Sequence, residues 1–351
     1  GYGGGGRDGG GYGGRGRPGW RLPQGISGPA PRRCPAAGPF CRSVLIGVST
    51  RLSKPMLRDI GVIGIGAMGM GIAHSASRAG FRVHVRDVDA GREALARTSG
   101  FEVHSSSASL AQACDACLIV VVDAAQIDEV LDGPQGALAP QRPGGFVLIC
   151  STIAPDDTIR FAARVAAAGR TFVDAPISGG PARAHDGTMS MMLAGDPAAL
   201  ATLQPLLAAI SGRRFTIGEA PGLAAKAKLV NNLMAGINLA AGAEALALAA
   251  RMGLDVRQMR ELISVSSGQS WMFDDRMARA LDGDYAPRAA SPVLTKDLTL
   301  ANAAAERAGV TLPMGAIARD LLRATCEGGW HEEDDAAIYK YYRRRFGVDP
   351  A

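Results

Sequence analysis

Residues 60–69, IGVIGIGAMG, decide the fold of the main part of the chain. The first four residues form a short apolar run typical of a buried strand, and the glycines at 64, 66 and 69 follow it in the spacing G-x-G-x-x-G. In this spacing the first glycine permits a tight turn, the second lets a pyrophosphate approach the backbone, and the third lets a helix pack closely on the strand. The motif alone is weak evidence in a glycine-rich chain, so the surrounding sequence decides.

That surrounding sequence has the order of a dinucleotide-binding unit. A helical stretch runs from the glycines to Arg78, and a second short strand, VHV at 83–85, leads to Asp87, 23 residues after Gly64. An acid at this place accepts hydrogen bonds from the ribose of NAD, and its charge repels the extra phosphate of NADP. Arg86 is the feature that keeps NADP open as the less favoured cofactor. The predicted cofactor-binding residues here are Gly64, Gly66, Ala67, Met68, Gly69 and Asp87.

Strand and helix patterns continue to alternate along the chain. Continuous apolar runs, CLIVVV and FVLIC, are typical of strands covered on both faces, and helical stretches separate them. Two further strands, TFVDAP and MSMMLAG, extend the sheet to about residue 216. The runs lie at 117–122, 146–150, 171–176 and 189–195, and the helical stretches at 126–131 and 156–168. Strands that alternate with helices predict an α/β fold with a doubly wound, Rossmann-type parallel sheet.

Strand signals end after Pro221. Residues 223–252 predict one unusually long helix rich in Ala and Gly, and shorter helices follow to Arg345. We therefore expect an NAD-binding Rossmann domain over 56–220, then an all-helical C-terminal domain over 221–351 that opens with the long interdomain helix. The cleft between the sheet and this helix is the expected site.

Residues 1–55 differ from the rest of this 351-residue chain. They hold 16 of its 46 glycines, nine Lys and Arg and one acid, Asp8, so the remainder carries a net −3 although the whole chain carries +5. Such a segment cannot bury enough apolar surface to order itself, and we predict a disordered Gly/Arg/Pro-rich tail. A non-functional extension is the favoured interpretation; an RNA-contacting segment and a mitochondrial import peptide are the alternatives. The acidic remainder makes nucleic acid an unfavoured partner.

Composition also argues against a membrane protein, a disulfide-linked protein and a metal site. The longest uninterrupted apolar run, 116–122, has seven residues, so no membrane span is expected. Six cysteines without regular spacing indicate reduced thiols and a cytoplasmic protein. The five histidines, at 74, 84, 104, 185 and 331, lack metal-ligand spacing, so we predict no metal site. The acidic run at 332–335 is interpreted as a solvated helix start.

Lys228 is one of only five lysines, against 33 arginines. On a helix it shares a face with Asn232, four residues on, whereas Lys226 lies on another face. A desolvated lysine can exchange a proton near neutral pH, which an arginine cannot do. Spacing alone leaves two interpretations open, a solvated helix lysine and a catalytic pair.

Five ordered motifs accompany the glycine turn, and together they resemble one family. They are STIAP (151–155), VDAPISGG (173–180), DGTMSMMLAG (186–195), GLAAKAKLVNN (222–232) and TKDL (295–298). The series is similar to the 3-hydroxyisobutyrate dehydrogenase family of β-hydroxyacid dehydrogenases, which includes tartronate semialdehyde and glyoxylate reductases. The resemblance extends from residue 57 to residue 341.

The resemblance implies roles for residues at matching positions. Lys228 matches the catalytic lysine, and Asn232 matches an asparagine that binds substrate and orients that lysine. Substrate-carboxylate binding is implied for Ser178, Gly179 and Gly180. Cofactor contacts are implied for Thr152 and Lys296, and for Val122 and Gln126, where VVDAAQ departs from the M-L-P type of several relatives.

The resemblance also implies an NAD-dependent oxidoreductase acting on the CH-OH group of a small β-hydroxy acid. SWMFDDR (270–276) and DGDYAPRAA (282–290) look most like enzymes for four-carbon sugar acids such as L-threonate. One alternative is an NADPH-dependent reductase of small carbonyl acids. Outside enzymes, the alternative is an RNA- or partner-binding protein that acts through its tail. A homodimer or homotetramer is implied, with the Ala/Gly faces of the long helix assigned to subunit packing.

Overall fold

The computed structural model describes residues 57–139 and 144–348. The expectation of a disordered tail over 1–55 lies outside the described residues. Nothing about the RNA-contacting or import interpretations of that tail is therefore tested by the fold.

Six parallel strands form the main part of a single sheet. Their spatial order is β3-β2-β1-β4-β5-β6, the order of dinucleotide-binding sheets. The strands are β1 (Asp59–Ile63), β2 (Arg82–Arg86), β3 (Glu102–Val103), β4 (Ala116–Ile119), β5 (Phe146–Ile149) and β6 (Thr171–Asp174). Beyond β6 the sheet continues with β7 (Ile177–Ser178), β8 (Met189–Ala194) and β9 (Ser211–Gly218). Strand β8 is antiparallel to β6 and β7 and parallel to β9.

Helices cover both faces of this sheet. They are α1 (Ala67–Arg78), α2 (Ala90–Thr98), α3 (Ser107–Ala113), α4 (Ala124–Asp132), α5 (Pro155–Ala167), α6 (Gly180–Asp186) and α7 (Pro197–Ile210). Because side chains alternate along a strand, Val62 belongs to one apolar cluster and its neighbour Ile63 to the other. Both clusters are buried, which explains why the strands read as continuous apolar runs.

The described residues after the sheet are helical. They form α8 (Leu223–Arg251), α9 (Val256–Ser264), α10 (Ala278–Leu281), α11 (Ser291–Arg307), α12 (Pro313–Thr325) and α13 (Ile338–Phe346), with π-helical turns at Phe273–Met277 and Cys326–Trp330 and a 3₁₀ turn at Asp335–Ala337. Helix α8 packs against α11, α12 and α13 around a buried apolar cluster that includes Leu239 and Tyr339. The predicted α/β Rossmann-type fold with a long helix and helical C-terminal part is confirmed.

Helix α8 bears on the expectations about a membrane span and about the small residues of the long helix. It is long and apolar enough to cross a membrane by length and composition, although no uninterrupted apolar run of that length exists in the sequence. Its packing against three other helices is that of the central helix of a bundle. Two of its small residues are in close contact with other parts of the chain. A Cβ on Gly236 would lie 2.5 Å from the Leu298 side chain, and one on Gly242 would lie 2.7 Å from the Phe273 side chain. These two glycines permit close packing within the chain.

Asp174, at the end of β6, fixes the start of α8. Its Oδ2 accepts hydrogen bonds from the backbone N–H groups of Gly222 (2.9 Å) and Ala225 (3.0 Å). These donors belong to the first turn of α8, where no helical carbonyl is available for them. The side chain therefore joins the sheet to the helix that carries Lys228.

Candidate active site

A cavity of about 1330 Å³ lies where the carboxyl ends of the strands meet α8 and α11. Segments that follow β1, β2, β4 and β5 line it on the sheet side. Ligands bind at this edge in open α/β sheets. All fifteen residues that the sequence singled out line this one cavity: Gly64, Gly66, Ala67, Met68, Gly69, Asp87, Val122, Gln126, Thr152, Ser178, Gly179, Gly180, Lys228, Asn232 and Lys296.

The glycine turn has no room for side chains at two of its positions. Gly64 has φ 87°, and a Cβ there would lie 2.5 Å from the carbonyl oxygen of Val120. A Cβ on Gly69 would lie 2.0 Å from the carbonyl oxygen of Gly64. At Gly66, by contrast, a Cβ would meet only the Arg92 guanidinium, at 3.7 Å. The backbone at Gly66 is thus open to the cavity, as the approach of a pyrophosphate requires.

Asp87 holds the glycine turn in place. Its carboxylate accepts hydrogen bonds from the backbone N–H groups of Ile65 (2.7 Å) and Asp89 (2.9 Å), and the residue is 5% exposed. Arg86, which the sequence suggested as a phosphate partner, is engaged with Glu93 at 2.6 Å. Arg86 also donates to the backbone carbonyl of Asp87, whereas the guanidinium that faces the Asp87 carboxylate is that of Arg92, 3.7 Å away and on the cavity wall. Sequence reasoning missed Arg92 because it lies five residues after Asp87, inside α2.

The segment after β4 leaves the sheet earlier than predicted. The apolar run continues to Val122, but β4 ends at Ile119 and Val122 is 49% exposed. The N–H of Val122 donates to Oε1 of Gln126 at 2.8 Å, and Asp123 caps α4 through the N–H of Gln126. The local hydrogen bonds therefore turn the last apolar residues from the sheet towards the cavity.

Lys228 is a buried lysine in the cavity wall, with 7% of its surface exposed. Burial lowers its pKa to about 8; the nearby Asp297 carboxylate opposes this shift and the Lys296 ammonium adds to it. Within the described part of the chain, Lys228 forms no hydrogen bond through its Nζ. The solvated-lysine interpretation is thereby wrong, because the side chain is desolvated and faces the cavity.

Asp297 links the polar groups around Lys228. Its Oδ2 accepts a hydrogen bond from Nδ2 of Asn232 (2.6 Å), and its Oδ1 accepts one from Nζ of Lys296 (2.7 Å). Asn231 donates to Oδ1 of Asn232 at 2.9 Å. The amide of Asn232 is thus oriented by two neighbours. Sequence reasoning named Lys296 but not Asp297, although the TKDL motif places them side by side.

The S-G-G segment forms another part of the wall. Ser178 ends the short strand β7, where it pairs with Ser190 of β8. Gly179 and Gly180 follow with φ 134° and 78°, conformations that side chains other than glycine rarely adopt. All three residues of the segment line the cavity.

The helical part adds polar residues that sequence reasoning missed. Arg276 lines the cavity and donates from Nε to Oδ1 of Asp335 at 2.5 Å. Trp271 also lines it, with the Arg276 guanidinium 5.6 Å from its ring. The solvated helix start predicted over 332–335 is wrong for Asp334 and Asp335, which are 0% and 2% exposed. Arginine partners in the folded chain, which local sequence does not reveal, compensate their charges.

Comparisons with known proteins agree with this arrangement. Residues 59–218 match the family model of the NAD binding domain of 6-phosphogluconate dehydrogenase, and residues 222–342 match that described as NAD-binding of NADP-dependent 3-hydroxyisobutyrate dehydrogenase. The chain is similar to L-threonate dehydrogenase of Cupriavidus necator, 40% identical over 82% of this chain and 97% of that protein. It is 37% identical to L-threonate dehydrogenase of Escherichia coli K12, over 81% and 94%. The crystal structure of a 3-hydroxyisobutyrate dehydrogenase from Salmonella typhimurium superposes with a TM-score of 0.76, at 36% identity over 81% and 99%.

The Rossmann-type sheet, the glycine turn and the cavity against α8 define an NAD-binding oxidoreductase. The chain belongs to the 3-hydroxyisobutyrate dehydrogenase family of β-hydroxyacid dehydrogenases. It is an NAD-dependent enzyme that acts on the CH-OH group of a small hydroxy acid.

Proposed function

We propose that this enzyme oxidises a four-carbon sugar acid of the L-threonate type, with Lys228 as the general acid/base. The observation that carries the proposal is the placement of Lys228: a buried lysine whose pKa is lowered to about 8 shares one cavity with the glycine turn and the S-G-G segment. General acid/base groups work best when their pKa lies near the working pH.

The residues of the cavity fit NAD. The open backbone at Gly66 and the buried Asp87 carboxylate suit the pyrophosphate and the adenosine ribose, with Gly64, Ala67, Met68 and Gly69 completing the turn. Val122, Gln126, Thr152 and Lys296 line the rest of the proposed cofactor wall. When bound, NAD supplies the acceptor for the hydride that leaves the substrate carbon.

The proton of the reacting hydroxyl goes to Lys228. During oxidation, neutral Nζ takes this proton while the carbon–oxygen bond becomes a carbonyl; during reduction, the ammonium returns it to the carbonyl oxygen. Asn232 positions the hydroxyl. Its amide has two N–H donors, of which Asp297 takes one, so the second is available for a substrate oxygen.

The substrate carboxylate is assigned to Ser178, Gly179 and Gly180. A hydroxyl and fixed backbone N–H groups are good hydrogen-bond donors to an anion because their dipoles are already oriented. The remaining hydroxyls of a four-carbon acid need polar partners, and Arg276 and Trp271 add such groups to the same cavity. The L-threonate dehydrogenases among the relatives support this substrate class.

The deciding experiment is a substrate panel with NAD and with NADP. Initial rates with L-threonate, D-threonate, D-erythronate, 3-hydroxyisobutyrate, D-glycerate and 3-hydroxypropionate should be highest for L-threonate with NAD. Lys228→Ala should reduce turnover on the order of 10²–10⁴-fold. Lys226→Ala, which removes an exposed lysine of the same helix, should retain it. A clear preference for a three-carbon acid would overturn the substrate assignment while leaving the role of Lys228 intact.

We also propose that the protein is a homodimer or homotetramer and that it is cytoplasmic. The boundary between the two proposed domains lies between residues 220 and 221. Exposed apolar side chains on α8 and β9 support self-association: Val230, Met234, Phe215 and Ile217. The sedimentation coefficient of the purified chain decides between the oligomeric states.

A further inference from the structure

A second cluster of polar side chains lies outside the cofactor cavity, on the face of the sheet that α3 covers. His84 of β2, Glu102 of β3 and His104 contribute it, and their nearest ligand atoms all lie within 4.8 Å of one another. Nδ1 of His84 is 3.0 Å from Nε2 of His104. The two Glu102 oxygens lie 3.5 Å from these nitrogens, one from each.

Sheet register explains why residues so far apart in the chain converge. His84 is the parallel partner of Glu102, and partners in register point to the same face. His104 follows Glu102 by two residues, so it returns to that face. Histidine spacing along the chain predicted no metal site, because this grouping depends on strand pairing.

Asp59 determines which ring nitrogen of His84 carries the proton. Nε2 of His84 is 3.0 Å from Oδ1 of Asp59 on β1. An ionised carboxylate only accepts hydrogen bonds, so Nε2 carries the proton. The lone pair of Nδ1 then accepts a hydrogen bond from Nε2 of His104, 3.0 Å away, and a metal ion that binds both nitrogens replaces this proton. A carboxylate that binds the outer nitrogen of a metal-ligating histidine is a recurrent arrangement in metal sites.

We propose that His84, Glu102 and His104 bind one divalent transition-metal ion, of which Zn²⁺ is the representative. Two imidazoles and a carboxylate are ligands that Zn²⁺ accepts, whereas Mg²⁺ and Ca²⁺ prefer sites made wholly of oxygen. The local charge favours a cation, since two carboxylates, those of Asp59 and Glu102, lie near the Arg82 guanidinium. Three protein ligands leave a coordination position for water.

The role that this geometry supports is structural. Strand β3 has two residues and lies at the edge of the sheet. An ion held by His84 on one side and by Glu102 and His104 on the other ties this edge strand to β2. Binding to the folded chain alone raises its stability by mass action.

The test uses the full, tag-free chain, treated with a chelator and then titrated with ZnCl₂ by calorimetry. We expect one equivalent to bind, with a rise in Tm, and MgCl₂ not to compete. Glu102→Gln is a safe first variant because that side chain is 63% exposed, and it should weaken zinc binding by more than about 100-fold. His104→Ala should do the same, and Asp59→Asn should weaken it by about 10-fold through the outer nitrogen of His84.

The matched control is His331→Ala, which removes an exposed histidine that also lies beside a carboxylate, Glu332 at 3.0 Å. It should leave the zinc isotherm unchanged. Dehydrogenase activity reports that each variant is folded. Failure of the wild-type chain to bind an equivalent, or equal zinc binding by wild type, Glu102→Gln and His104→Ala, would overturn the proposal.

Discussion

Nζ of Lys296 in α11 donates a hydrogen bond of 2.7 Å to the backbone carbonyl of Thr152, which lies in the segment that follows β5. The same ammonium donates to Asp297, which orients Asn232 on α8. One lysine therefore connects the helical part of the chain to the sheet edge and to the groups beside Lys228. Both of its partners line the cavity, so the connection also fixes the shape of the site.

Replacement of Lys296 by methionine should loosen this connection. The side chain keeps its apolar stem but loses the ammonium, so the Thr152 carbonyl and Asp297 each lose a charge-assisted hydrogen bond. We expect kcat/KM for NAD to fall by about 10- to 100-fold, equivalent to about 1.4–2.8 kcal/mol. Steady-state kinetics at saturating hydroxy acid measure this. Lys226→Met, on an exposed face of α8, is the control and should behave as wild type.

The pH dependence of the rate should follow Lys228. Because burial lowers its pKa to about 8, the neutral base required for oxidation accumulates above that pH and the acid required for reduction accumulates below it. The kcat/KM for oxidation should rise through about pH 8, and that for reduction should fall. In Lys228→Ala the rise for oxidation and the fall for reduction at about pH 8 should both disappear, and the rate should be reduced on the order of 10²–10⁴-fold. A change in kcat/KM at about pH 8 that persists in Lys228→Ala would have to come from another titrating group.

Asp87 should control the choice of cofactor. Asp87→Asn keeps the size of the side chain but removes the negative charge that we assign to binding the adenosine ribose, and Arg92 then lies 3.7 Å from a neutral group. We expect the ratio of kcat/KM for NAD to that for NADP to fall by at least about tenfold, about 1.4 kcal/mol. Arg92→Ala in the Asp87→Asn background should reverse the gain with NADP. An unchanged ratio in Asp87→Asn would contradict this assignment.

Local sequence was sufficient for the fold and for part of the cavity wall, but it missed wall residues such as Arg92 and Arg276. The glycine turn, the apolar strands and the long helix have periodicities set by their own residues, and every predicted site residue lies on one cavity. Partners that depend on tertiary contacts were not predictable. The carboxylate of Asp297 on Asn232, the burial of Asp335 against Arg276 and the approach of His84 to His104 each join residues at least 20 positions apart.

Asp174 should make the stability of the enzyme depend on pH in an unusual direction. Burial raises its pKa to about 6, although the N–H groups of Ala225, Gly222 and Ala224 oppose the shift. Since the folded pKa lies above the unfolded value of 3.8, the folded chain binds more protons at this site between these values. The contribution of Asp174 to the free energy of unfolding is complete below about pH 4 and is lost as the pH rises through about 6. It falls by about 2 kcal/mol between pH 4.5 and 7.5.

Comparison of wild type with Asp174→Ala isolates that contribution. The variant removes the acceptor at the start of α8, so it should be destabilised by about 1–3 kcal/mol at pH 7.5, the cost of leaving buried donors without a partner. The loss of stability relative to wild type should be larger at pH 4.5, because the wild-type carboxyl is then protonated and no longer carries a buried charge. Urea unfolding at the two pH values measures the free energy of unfolding of wild type and variant. Asp196→Ala, which removes an acceptor at the start of α7, is the matched control for the loss of a helix-start hydrogen bond. An Asp174→Ala deficit that shrinks at pH 4.5 would mean that the ionised carboxylate, rather than the protonated one, is the form that the folded chain favours.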